Sequence, residues 1–194
     1  MGFASFVLFA MTSSFLKYEF RQLNEEIEYC VKRRKLNLLM KAMNRHQINT
    51  ELTNSVNLFF SINLGGIYFN CTPAVDILVY LSFQNELNII LRLLYISVAL
   101  QMFSLFLAQN FTASSFTATA HKPIKHLYTF MANKKLSLKK KMKIYMFIQK
   151  LSGKPIGFYC FNLFAFNNYA FYQYISFVSV TYFLILDLMS FLLN

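Results

Sequence analysis

Positive charge in this chain is confined to two stretches. Eighteen of the nineteen Lys and Arg residues lie in 17–54 and 111–154, with Arg92 the exception. The apolar segments around them are almost free of it. Loops rich in Lys and Arg stay on the cytoplasmic side, because carrying them through a bilayer is unfavourable. The pattern therefore states an orientation as well as a class. Five of the eight acids share the first basic stretch, while Asp76, Glu86 and Asp187 lie elsewhere.

A content of 56% apolar and 14% charged residues is too greasy for an ordinary soluble domain of 194 residues. Crossing a hydrocarbon core of ~30 Å takes roughly 20 residues of helix. Segment 1–16 is apolar but short, with no basic leader and no small-x-small cleavage site. It reads as the inner end of a transmembrane helix that begins earlier, so the chain is expected to be a fragment. Segment 17–54 is then a cytoplasmic amphipathic helical stretch and 55–83 a transmembrane helix. An extracellular loop at 84–88 follows, and 87–110 returns inward. Segment 111–155 is basic and cytoplasmic, and 156–194 forms the last transmembrane helix, with the C-terminus extracellular. The expected fold class is all-α: a polytopic, multi-pass helical protein of the plasma membrane whose first partner is the lipid bilayer.

Several function classes drop out. The net charge of +11, with Lys32-Arg33-Arg34-Lys35 and Lys139-Lys140-Lys141, would suit phosphate backbones. Beside long apolar spans it is better explained by cytoplasmic retention and anionic lipid, so no nucleic acid is expected. Cys30, Cys71 and Cys160 form no CxxC pair. His46, His121 and His126 lack metal-ligand spacing. No nucleophile–base pair or carboxylate pair shares a depth, so neither an enzyme nor a metal or other cofactor is expected. Asn70-Cys71-Thr72 and Asn110-Phe111-Thr112 are formal glycosylation sequons. The topology places both where they would stay unmodified.

The cytoplasmic stretches carry helical periodicity. Leu16, Phe20, Leu23, Ile27 and Cys30 recur at steps of three and four, with Glu19, Glu25, Glu26 and Glu28 off that stripe. Leu138, Met142 and Tyr145 form a second stripe flanked by lysines. Such helices either lie on lipid or pack into a cytoplasmic bundle; two in one chain favour the bundle. Ser152-Gly153-Lys154-Pro155-Ile156-Gly157 should break the helix before a last span running from about 162 to 193. Gly65-Gly66 permits close packing or a bend.

On that last span Asn168, Tyr172, Ser176, Ser179, Asp187 and Ser190 make a polar stripe at helical spacing, interrupted by Phe183. Polar side chains facing lipid are costly, so the stripe should face protein or water. Two readings stay open: hydrogen bonds between helices, or the wall of an aqueous pore about a symmetry axis, where a ring of Asp187 carboxylates attracts cations.

Thr181-Tyr182 followed by Phe183-Leu184-Ile185-Leu186 resembles the Thr-Tyr-plus-hydrophobic signature of arthropod gustatory receptors. Asp187 stands at that signature's fifth hydrophobic place, and Leu188 and Met189 stand where Gln and Phe follow. Lys150-Leu151-Ser152 through Ile156-Gly157-Phe158 with Phe164, Leu23-Asn24, and Asn57-Leu58-Phe59-Phe60-Ser61 resemble other family segments. The resemblance implies the C-terminal half of an inverted-topology, seven-helix receptor channel. It further implies a homo- or hetero-tetramer of receptor subunits, a pore lined by the last helix, and a small-molecule tastant as ligand. The polar stripe turns Asp187 to the axis and the family pattern turns Leu188 there, about 100° apart. Ligand contacts would fall among Tyr68, Asp76, Tyr80, Arg92, Tyr95 and Gln101, although Asp76 and Arg92 could instead form an ion pair. The expected function is a chemosensory ligand-gated cation channel subunit. The alternatives are an odorant-receptor-type subunit and a small multi-span transporter or scaffold.

Overall fold

The computed structural model of the chain describes residues 2–83, 87–132, 136–161, 163–167, 169–170, 172–173, 175–176, 179–180, 182–184 and 187, the side chains of residues 2, 3, 71 and 72 excepted. Among these the class is all-α with one small hairpin. Helix α1 spans Gly2–Lys32, α2 Leu36–Ser82, α3 Ile89–His121, α4 Ile124–Met131 and α5 Leu138–Ser152. Strands β1 (Tyr159–Cys160) and β2 (Phe164–Ala165) pair antiparallel, and the described residues between 169 and 187 are helical.

The helices run straight through the boundaries drawn from charge at 16, 54 and 110, since nothing there stops a helix. At ~1.5 Å per residue, α2 is about 70 Å long, more than twice a hydrocarbon core. Pro73 sits inside it and deprives the Phe69 carbonyl of its i+4 donor. The true break is between α1 and α2. Arg34 adopts a left-handed φ of 55°, its N–H bonds the Val31 carbonyl at 3.2 Å, and the Lys35 N–H bonds that of Cys30 at 3.0 Å. These two bonds close a Schellman stop, with Arg where Gly is usual.

One end of the molecule is a packed bundle. Leu16, Phe20, Leu23, Ile27 and Cys30 are all buried, so the stripe on α1 faces the core. Phe9 meets Phe60 and Phe158 edge-on, with ring centroids 5.4 and 4.8 Å apart, and Phe116 lies 5.5 Å from Phe20. The ion pairs among the described residues sit at this end too: Arg21–Glu25, Lys32–Glu28, Arg45–Glu26 and His126–Glu28.

Two sequence expectations need correction. On α5 the stripe Leu138, Met142 and Tyr145 stands exposed, and Ile144, Phe147, Ile148 and Leu151 are buried instead. Both sets satisfy helical spacing; the contact of Phe147 with His46 on α2, 5.3 Å between rings, selects the second. The break after α5 is followed by the hairpin rather than by helix from about 162. The Asn57 side-chain oxygen accepts the Tyr159 N–H at 2.7 Å and the Ser61 carbonyl accepts the Phe161 N–H at 3.3 Å. Those donors are thereby taken from any local helix, and Phe161 turns to a φ of 46°. Gly65 has its use here: the Phe161 ring occupies the space a Cβ would need. No Cβ obstruction surrounds Gly66.

Two stretches are long and apolar enough to cross a membrane: Leu36–Ser82, and Ile89–Met131 across the α3–α4 turn. Only 19% and 11% of their most apolar windows are buried inside the chain. A core helix of a soluble protein would show the reverse.

Candidate functional site

At the end of α2 and α3 remote from the charged bundle lies a cavity of about 580 Å³. Each element gives it one helical face. Val75, Asp76, Val79 and Ser82 come from α2 at steps of one, three and four, with Phe83 at its C-cap; Ile96, Ala99, Leu100 and Phe103 come from α3. Ser179, Tyr182 and Phe183, at i, i+3 and i+4, close it from the last helix. The lining is mainly aliphatic and aromatic with a few polar groups, and the volume falls in the range typical of small-molecule sites.

Asp76 is the outstanding group. It is 2% exposed, and its Oδ2 has no hydrogen-bond partner. Buried polar atoms are nearly always partnered, which makes this one informative. The two serines of the cavity wall have committed their donors. Ser82 Oγ donates to the Val79 carbonyl at 2.6 Å and Ser179 Oγ to that of Ile175 at 2.9 Å. Toward the cavity both hydroxyls are left as acceptors.

Of the ligand residues expected from sequence, Asp76 is the one that lines the cavity. Tyr68 lies two turns along α2 toward the bundle, in ring contact with Phe106, Phe164 and Phe166. Arg92 Nε donates to the Leu87 carbonyl at 3.1 Å, and no ion pair joins it to Asp76 among the described residues. Tyr80 and Tyr95 are half-buried and Gln101 is exposed, all three outside the cavity lining.

Of the expected pore residues, Tyr172, Ser176, Ser179 and Asp187 are exposed on the last helix. Asn168, Leu188 and Met189, with Thr181 of the motif, lie outside the described residues. Tyr182, singled out in the sequence only for the motif, is a cavity residue. Sequence reasoning missed Phe83, Ala99, Phe103 and Phe183. Their spacing relative to Asp76 and Ser179 was available, but not the rotation of one helix against another.

Among the described residues no group of three or more His, Cys, Asp or Glu is placed to hold a metal ion. A search of protein-family models finds no match to this chain, and none of the curated proteins matches it at a significant level.

Proposed function

We propose that the chain is a subunit of a chemosensory, gustatory-receptor-type cation channel. In this reading it is a multi-pass plasma-membrane protein that assembles with further receptor subunits as a tetramer. The observation that carries it is the position of the cavity. A small molecule there touches α2, α3 and the last helix at once, and it is the last helix whose Tyr172, Ser176 and Asp187 stand exposed for a conduction path. Binding energy that differs between two positions of that helix is what gating by a ligand requires.

The surface supports a bilayer around the long helices. Leu58, Phe59 and Ile62 on α2 and Ile89, Ile90 and Leu93 on α3 are each more than 60% exposed. An apolar band of that extent is unsuited to water and suited to lipid. Apart from Arg92, the described Lys and Arg residues lie in the segments 17–54 and 122–154 that build the bundle end, as cytoplasmic retention requires.

In planar bilayers containing the chain, alone or joined to partner subunits, a cation-selective conductance is expected. Asp187→Asn should lower its preference for cations over anions severalfold, because the carboxylate ring supplies the attracting field. A conductance whose selectivity is unmoved by that substitution would contradict the placement of Asp187 on the axis. Failure to record any conductance with every partner tried would contradict the channel itself.

A further inference from the structure

We infer that the cavity between α2, α3 and the last helix is an amine site: it takes an apolar molecule carrying one ammonium group, not a sugar or another polyol. The inference deepens the receptor reading and rests on it for the ligand's role in gating; binding itself rests on the cavity alone.

The polar groups decide the chemistry. Asp76 belongs to the cavity wall, is 2% exposed and has a carboxyl oxygen, Oδ2, without a hydrogen-bond partner. Ser82 and Ser179 have spent their protons on the Val79 and Ile175 carbonyls, so each offers only lone pairs. The site is therefore rich in acceptors. An ammonium brings three donors and no acceptor, and it also supplies the positive counter-charge that a buried carboxylate needs. The rest of the wall sorts the remainder of the ligand. Phe83, Phe103, Tyr182 and Phe183 supply rings, whose faces attract a cation while their bodies bury an apolar tail. Val75, Val79, Ile96 and Ala99 extend that apolar surface. A polyol entering here would strip water from several hydroxyls and find few partners for them.

No ion pair to Asp76 exists among the described residues, and the side-chain donor that the described wall itself offers is the neutral Tyr182 hydroxyl, which brings no charge. Arg92, the one cation on the apolar part of α2 or α3, is turned to the Leu87 carbonyl.

The test uses the full chain in lipid nanodiscs, with binding read by calorimetry at pH 7.5. The probes are 4-phenylbutylamine, its neutral counterpart 4-phenylbutan-1-ol, and glucose. The amine should bind at least about tenfold tighter than the alcohol, as a buried charge-assisted bond implies, with no binding of glucose. Asp76→Asn should erase that preference and leave the alcohol's affinity nearly unchanged. Ala99→Phe, which puts a ring into the cavity wall, should weaken both severalfold. Equal affinity of amine and alcohol in the unmodified chain overturns the proposal, as does a preference that survives Asp76→Asn or binding of both that is unmoved by Ala99→Phe. Because the amine–alcohol comparison needs no variant, it decides the matter even if Asp76→Asn fails to fold. Asp76-dependent amine binding without any amine-evoked current would retire the channel reading and keep the amine site. Current evoked by ligands indifferent to Asp76 would do the opposite.

Discussion

His46 is fully buried where α1, α2, α3 and α5 converge. Its ring is edge-on to Phe20 at 4.8 Å and to Phe147 at 5.3 Å. One nitrogen, Nε2, lies 3.1 Å from the Ala120 carbonyl, and Nδ1 has no partner. This is a site built for a neutral imidazole. Burial, before any other cause, pushes its pKa from an ordinary 6.5 down to about 4; nearby His121 acts in the same direction and the Ala120 carbonyl against it. The unfolded chain takes up a proton as pH falls through about 6.5 and the folded one does not until near 4. Stability from His46 is thus intact above the unfolded value and is lost as pH drops from ~6.5 toward 4, by up to ~3 kcal/mol. Thermal unfolding in detergent between pH 7 and 4.5 should show the midpoint falling, and His46→Gln should remove most of that drop. An equal drop in the variant would place the acid sensitivity elsewhere. No spacing in the sequence marked this histidine, since a ring that titrates in water and one locked in a core look alike until their neighbours are known.

Among the elements, legibility follows how many packing partners a segment has. The stripe on α1 was readable because a 31-residue helix repeats its pattern often enough to leave one apolar face. On the 15-residue α5 two stripes compete, and only the partner helix decides between them. The hairpin was invisible: Phe158 to Phe166 is an apolar run that fits a helix equally well, and strands of two residues have no period. What forms it is tertiary. Asn57 is 5% exposed and its side chain holds the Tyr159 N–H, while Thr117 reaches the Phe166 carbonyl at 3.4 Å. Asn57→Ala leaves a buried N–H unpaired and should cost ~1–3 kcal/mol. Since Cys160 is fully buried in the hairpin, its alkylation by a thiol reagent should speed up in Asn57→Ala and remain slow in Asn57→Asp, which keeps the acceptor. Unchanged alkylation in the alanine variant would mean that the bond does not hold the hairpin down. The cavity was half readable for the same reason. Asp76 stood out as an acid in an apolar run, but the register that brings Ala99 and Tyr182 opposite it belongs to three helices together.

For the whole molecule, one asymmetry organises the rest. The packed, ion-paired bundle occupies one end, the apolar flanks of α2 and α3 are left uncovered beyond it, and the cavity lies at the far end. This arrangement makes sense if a bilayer surrounds the uncovered flanks, with the basic segments in the cytosol and the last helix leading outward. The most direct measurement is sidedness in intact cells, using an epitope fused after Asn194 and a single surface thiol introduced by Lys139→Cys. The account predicts that antibody reaches the epitope without permeabilisation, and that an impermeant maleimide reaches position 139 only after it. An epitope hidden until cells are opened, or a thiol at 139 labelled from outside, would contradict the orientation and the receptor-channel function built on it.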